Sequence, residues 1–129
     1  MIEFPYPTST GEALAFASAA ATALLGLMVF VLPRLTLRAM GIGTVAGRDD
    51  AVAEIRSVMA GFLLAGGIGS IMFAQPFVYL VLGASWAITV LGRVVTAVVD
   101  RGLSRIQVLQ TVIELLLAAG PLAYVFQLV

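Results

Sequence analysis

The chain has 129 residues, of which 61% are hydrophobic and 11% are charged, and its mean hydropathy is +1.10. Soluble domains contain roughly 45–50% apolar residues and bury only about two thirds of their unfolded surface at this size, so the composition excludes a water-soluble domain and indicates a membrane protein. Seven arginines balance seven carboxylates, which argues against nucleic acid as a partner. Because the chain has neither cysteine nor histidine, we predict no disulfide, no metal site and no cofactor.

Four long apolar segments follow one another along the chain. A helix needs about 20 apolar residues to cross the hydrocarbon core of a bilayer, and each segment reaches that length. Four helices that all lack a wide polar face cannot form a soluble bundle. We therefore predict an all-α fold, an integral membrane four-helix bundle with up-down-up-down topology, in a single transmembrane domain over residues 1–129. The predicted helices cover residues 12–32, 51–73, 76–100 and 104–128.

Polar residues indicate where these helices begin. Ser9 and Glu12 match a capping box just before the first helix. Asp49 or Asp50 is expected to cap the second helix, because a carboxylate accepts the free N–H groups of a first turn. The fourth helix is predicted to start after a Ser104 cap.

Arginine placement predicts the orientation in the membrane. Two of the three connections between the long helices carry arginines, and the connection between the second and third helices carries none. By the positive-inside rule the two arginine-bearing connections face the cytoplasm, so both termini are predicted to be periplasmic. The arginines are Arg34, Arg38 and Arg48 in the first connection and Arg101 and Arg105 in the third.

The first connection also contains the sequence PRLTLRAMGIGTVAG, residues 33–47. Apolar residues lie between its arginines, which favours a short interfacial segment on the membrane surface between helices one and two.

Small residues in the first two helices predict close helix contacts, either within the bundle or across a dimer face. They are Ala13, Ala17, Ala20 or Ala21 and residues 23–26 in the first helix, and Gly61, Ala65, Gly66, Gly69 and Ser70 in the second.

Five ionisable residues lie inside the apolar segments or near their ends. A charge at a helix centre costs about 2.5–3.5 kcal/mol, and such charges usually pair inside the bundle. Asp100 marks the cytoplasmic end of its helix, and from the helical rise the other four lie roughly 6 to 15 Å from the cytoplasmic ends of three helices, with Glu114 deepest. We expect Arg93 to meet Glu114 or Glu54, because a guanidinium can bind a carboxylate at two points. The five are Glu54, Arg56, Arg93, Asp100 and Glu114.

These charges allow three interpretations: a polar clasp that fixes helix order, a polar pocket open to the cytoplasmic leaflet, or an ion or proton path. In a pocket, Glu114 and Glu54 are the candidate catalytic residues, since a buried carboxyl suits acid–base work. The candidate binding residues are Arg93, Arg56, Asp100 and Trp86, whose ring either lines a cavity or packs in the core.

The same residues carry a resemblance to a known family. EIRSVMAGF at residues 54–62, GRVVTAVVDRG at 92–102, and Glu114 resemble a pattern of Glu-x-Arg, Gly-Arg with a downstream Asp and Gly, and Glu. This pattern belongs to a bacterial family of small four-helix membrane proteins catalogued only as a domain of unknown function. The family has Asp directly before Gly, whereas Arg101 separates the two here. The resemblance spans roughly residues 12–128 and implies the fold and the bacterial inner membrane, but no activity.

Three functions fit this sequence. The first is an inner-membrane protein whose buried Arg–carboxylate cluster binds a lipid or an apolar small molecule. The second is an intramembrane acid–base enzyme of isomerase, cyclase or epoxide hydrolase type acting on a lipid or terpenoid, which a cavity touching both glutamates would favour. The third is an accessory subunit of a membrane complex. The predicted partners are membrane lipids, an apolar ligand, and a second copy of the chain or another membrane protein.

Overall fold

The computed structural model describes residues 7–100 and 102–128, and within them it forms helices and no strand. Four of the five helices are long and apolar enough to cross a membrane, and they pack into the predicted all-α four-helix bundle. Arg101, which contributes to the orientation prediction, lies outside the described residues. The helices are α1 (Thr10–Val31), α2 (Pro33–Met40), α3 (Asp50–Phe73), α4 (Pro76–Val99) and α5 (Arg105–Val125).

Capping explains the starts of α1 and α5. The Ser9 hydroxyl accepts a hydrogen bond from the Glu12 backbone N–H at 3.1 Å, while the Glu12 carboxylate accepts from the Thr8 backbone N–H at 3.0 Å. At α5 the box is complete, with Ser104 and Gln107 each accepting from the other's backbone N–H. Both helices therefore begin where the sequence predicts a cap.

The predicted carboxylate cap of α3 is wrong. The N-cap residue Asp49 makes no capping hydrogen bond, because its carboxylate instead forms an exposed ion pair with Arg34 at 3.3 Å. Asp50 likewise pairs with Arg48. The two aspartates thus tie the start of α3 to the first connection through surface ion pairs, which contribute little to stability.

Close packing of α1 against α3 depends on two glycines. A Cβ on Gly26 would lie 2.7 Å from the Leu64 backbone nitrogen, and a Cβ on Gly67 would lie 2.4 Å from the Ala23 nitrogen and 2.7 Å from the Ala19 carbonyl oxygen. These backbones approach each other only because neither glycine has a side chain. Small residues do bring the first two long helices together, inside the bundle.

Only some of the α3 small residues predicted to make close helix contacts lie against α1. A Cβ on Gly61, Gly66 or Gly69 would meet nothing within 4 Å, whereas Ser70 is buried and Gly67, absent from the prediction, makes the contact. Two stripes of small residues run along α3, and spacing alone does not distinguish the stripe that packs on α1 from the stripe that faces away.

The remaining contacts leave one seam of the bundle open. Helix α1 also packs on α5, where a Cβ on Gly120 would lie 2.8 Å from the Leu14 carbonyl oxygen, and α5 packs extensively on α4. By contrast, α3 and α4 contact each other little beyond their connection at residues 74–75. The two are consecutive and antiparallel, as the predicted up-down-up-down topology requires, but they diverge.

The outer surface of the bundle is strongly apolar. Large side chains such as Leu24, Phe62, Phe77 and Val98 are 66–79% exposed, and such a surface is stable when it faces lipid instead of water. The buried residues are alanines and a few larger apolar side chains, with Ala15, Ala19, Tyr79 and Leu82 forming the core cluster. Large apolar side chains on the outer surface, where a soluble protein has polar ones, indicate a membrane protein.

Helix α2 is the predicted short segment between helices one and two. Its Leu37 is buried and its Leu35 is exposed, so one face packs on the bundle and the other is free. Gly41 ends it in a left-handed conformation (φ 74°), which glycine adopts without strain. The segment closes one end of the bundle, beside the site described next.

Candidate functional site

The most deeply buried charged side chain among the described residues is paired. Arg93 on α4 donates from Nε to Glu114 Oε1 on α5 at 2.9 Å. Glu114 is buried and the Arg93 side chain is 23% exposed. Of the two partners expected for Arg93, the structure selects Glu114, because α4 and α5 pack along their length and bring these two positions to the same level.

This ion pair forms part of the wall of a cavity of about 310 Å³, called here the pair cavity. All five helices contribute to the wall, and most of the lining side chains are apolar. Gln110 and Thr89 add polar groups beside the pair, and Met40 and Met59 close other sides. The arrangement is typical of a small-molecule site, a largely apolar space with a few polar groups that orient the occupant.

One oxygen of Glu114 is open to the pair cavity. Oε1 accepts the Arg93 hydrogen bond, while Oε2 has no partner among the described residues. No completely buried side-chain nitrogen or oxygen in the described residues lacks a partner, so Oε2 retains accessible surface, and Glu114 lines the cavity. The two terminal nitrogens of Arg93 also have no partner in the described chain. The site therefore presents both a hydrogen-bond acceptor and several donors.

Trp86 also lines the pair cavity, about two turns before Arg93 on α4, and a chain of hydrogen bonds holds it in place. Its Nε1 donates to Thr22 Oγ1 at 2.9 Å, and Thr22 donates to the Ser18 carbonyl oxygen at 2.8 Å. Ser18 in turn donates to the Leu117 carbonyl oxygen on α5. Trp86 is both packed and cavity-lining, so the two interpretations of the sequence are not exclusive.

The other predicted site residues do not join the pair. Glu54, Arg56 and Asp100 are exposed, none lines the pair cavity, and none forms an ion pair in the part of the chain that the structure describes. The expected five-charge cluster is therefore a single pair. The physical reason is position: Glu54 and Arg56 lie on the outer side of the first turns of α3, and Asp100 follows the end of α4.

A π-helical segment begins directly after Glu54 and contains both Arg56 and the cavity-lining Met59. Residues Ile55–Met59 form one wide turn within α3, and the wider turn changes which face the following residues present. Met59 ends this segment and lines the pair cavity, as does Leu63 one turn later. π-helical turns occur frequently at functional sites, and here the turn sets the register of the α3 wall.

Of the two glutamates predicted for acid–base chemistry, Glu114 lines the pair cavity and Glu54 does not. Sequence reasoning also missed Thr22, Thr89 and Gln110, which look like ordinary helix residues. The only available signal was their helical spacing from charged or aromatic neighbours, such as Gln110 one turn before Glu114.

Comparisons with models of protein families, with curated proteins and with solved structures find no match to this chain.

Proposed function

We propose that this chain is a bacterial inner-membrane protein that binds an apolar or amphipathic molecule in the pair cavity. The observation that supports the proposal most is that Glu114, almost completely buried, lines a 310 Å³ cavity and keeps its Oε2 without a partner among the residues that the structure describes. An ion pair that only fixed the order of the helices would be more stable if all its polar atoms had hydrogen-bond partners, since a buried polar group with only some of its partners costs free energy.

The proposed location in the bacterial inner membrane is based on the composition of the chain and on the family resemblance. Four membrane-long apolar helices and an exposed apolar surface support a multi-pass protein. The Glu-x-Arg, Gly-Arg and Glu pattern supports membership of the small four-helix family. Both termini are then periplasmic, and the ligand enters from the bilayer, because the bundle has an open seam there.

The orientation is testable because the chain has no cysteine. Single cysteines introduced as Thr8→Cys, Val45→Cys and Leu128→Cys all lie at exposed positions. In spheroplasts, a membrane-impermeant maleimide should label the first and last and leave the loop position unlabelled until the membrane is opened. Labelling of the loop cysteine alone in intact spheroplasts would overturn the proposed orientation.

Ligand binding is testable through Trp86, the only tryptophan in the chain and part of the cavity wall. Octanol carrying a terminal bromine, a heavy-atom quencher, is titrated into the purified protein in detergent micelles. We expect saturable quenching of Trp86 fluorescence above the linear background from partitioning. In parallel, native mass spectrometry of the untreated protein should show a copurified lipid-sized molecule.

A matched pair of double variants locates the binding. Arg93→Met with Glu114→Leu replaces the ion pair by apolar side chains, a change that buried pairs often tolerate. The brominated octanol should then lose two hydrogen bonds, each about 0.5–1.5 kcal/mol, and its binding should weaken about tenfold. The same two substitutions at the exposed charges, Arg56→Met with Glu54→Leu, should change nothing. Unsaturable quenching, or equal effects of both double variants, would refute the proposal.

A further inference from the structure

A second cavity adjoins the pair cavity and extends toward the connection of α3 and α4. It has a volume of about 530 Å³ and lies in the open seam between these helices, and it is called here the α3/α4 cleft. Its two sides are mainly apolar, with Phe62 and Phe73 on α3 and Val78 and Val81 on α4. The cleft opens laterally, where the bilayer would be.

The two cavities share a wall. Leu63, Trp86 and Thr89 line both of them, so the two cavities adjoin at these side chains and together extend from the Arg93–Glu114 pair to Val78 near the connection. The axial distance from Arg93 to Val78 is roughly 22 Å by helical rise. Arg93 lies about 10 Å from the cytoplasmic end of its helix by helical rise, and the midplane of a bilayer is about 15 Å from the edge of the hydrocarbon core, so one extended chain with its head at the ion pair would pass the midplane inside this space.

Two glycines, which have no side chain, shape the cleft. Gly66 and Gly69 line it, and a Cβ on either would meet nothing within 4 Å. This contrasts with Gly67 between them, which is needed for contact with α1. The two lining glycines therefore make room without helping the bundle to pack.

The chemistry at the inner end favours a neutral polar head. Arg93 and Glu114 together carry no net charge, and adding a full charge in a low-dielectric site costs several kcal/mol unless it is compensated. A hydroxyl can donate to Glu114 Oε2 and accept from a terminal nitrogen of Arg93 at the same time. A carboxylate cannot donate, and it would meet the charge of Glu114.

We propose that the ligand is a long, single-chain neutral alcohol taken from the bilayer. Its hydroxyl lies between Arg93 and Glu114, and its chain passes Trp86 and fills the α3/α4 cleft. This inference rests on the proposed function and adds the class of ligand and the location of its tail. Because lipid is as apolar as the cleft, the head pairing provides the specificity and the shape of the cleft sets the path of the chain.

The test uses photo-crosslinking from the tail. Hexadecanol and octanol, each with a diazirine at the end of the chain, are added to the full-length protein in nanodiscs, and crosslinked residues are identified by mass spectrometry. Hexadecanol should label the outer end of the cleft, at Phe73 and Val78, and octanol should label the region of Trp86 and Thr89. Hexadecane with the same diazirine should label exposed side chains such as Phe77 without this preference.

Variants of α3 provide the control. Gly66→Leu and Gly69→Leu fill the cleft and should reduce hexadecanol labelling at Phe73 and Val78 at least fivefold while leaving octanol labelling intact. Gly61→Leu, on the same helix and equally free of contacts but outside the cleft, should leave both unchanged. Unlabelled hexadecanol should also compete with the probe at least tenfold better than palmitate.

The outcomes separate the two proposals. If octanol labelling depends on the Arg93–Glu114 pair but hexadecanol labels lipid-facing residues regardless of Gly69→Leu, the tail path is wrong and the pair cavity stands as a site. If palmitate competes as well as hexadecanol, the neutral head is wrong. If neither alcohol depends on the pair, the proposed function itself fails.

Discussion

Replacing Gly67 by alanine tests the contact that holds α3 to the rest of the bundle. The new Cβ would lie 2.4 Å from the Ala23 nitrogen, 2.8 Å from its Cα and 2.7 Å from the Ala19 carbonyl oxygen. All three atoms belong to the backbone of α1 and cannot rotate away. The two helices must therefore move apart along this face.

The size of the effect follows from that separation. Helices α1 and α3 must separate by about 1 Å before the contact becomes ordinary, and a gap of roughly 0.5–1 Å already loses a quarter to a half of the attraction between facing atoms. Overpacking of this kind costs about 1–3 kcal/mol. The higher helix propensity of alanine returns up to about 1 kcal/mol, so the net loss of unfolding free energy is up to about 2 kcal/mol.

Gly66→Ala is the matched control, because it makes the same substitution one residue away in the same helix and its Cβ meets nothing within 4 Å. The propensity gain is common to both variants, so their unfolding free energies should differ by about 1–3 kcal/mol. Equilibrium unfolding with increasing mole fraction of SDS in mixed micelles, followed by circular dichroism, measures this difference. Equal stabilities would refute the packing of α1 on α3 through Gly67.

Two further predictions concern buried polar groups. Arg93→Gln alone should lower the unfolding free energy by about 3 kcal/mol, the lower end for breaking a buried pair, because the Arg93 side chain is 23% exposed. In the same SDS unfolding assay, the double variant with Arg93→Met and Glu114→Leu should recover most of this loss. An additive loss in the double variant would contradict the pairing. Thr22→Val removes the acceptor of the Trp86 Nε1 hydrogen bond, so it should lower the unfolding free energy by about 1–3 kcal/mol and shift the fluorescence emission of Trp86. The hydroxyl of Thr89 donates to a carbonyl of its own helix, so Thr89→Val should have neither effect.

The sequence was sufficient for the helices because the signals for them are local. Ser9 and Ser104 cap helices that begin beside them, and apolar length alone distinguishes the four long helices. At α3, Asp49 has the right residue type for a cap and still does not act as one, since Arg34 competes for its carboxylate. That competition depends on how the first connection folds, which local sequence does not encode.

The site was only partly predictable, for a similar reason. Depth along a helix follows from counting residues, so Arg93 and Glu114 could be placed at compatible levels. The side of α3 on which each residue lies could not be predicted by assuming a regular α-helix, because the π-helical turn at Ile55–Met59 changes the angular relation between Glu54 and the residues after it. The prediction therefore assigned five charges to one cluster where the structure has one pair.

By itself the sequence determined the membrane-like composition, the four long helices and the presence of buried charges, because these depend on residue type and on distance along the chain. Only the tertiary structure decided that Arg93 meets Glu114, that Gly67 and not Gly66 contacts α1, and that α3 and α4 diverge to leave a cleft. Each of these depends on which faces of which helices meet. In a chain that is apolar on all sides, no polar face indicates the answer, and close packing of the backbones selects it.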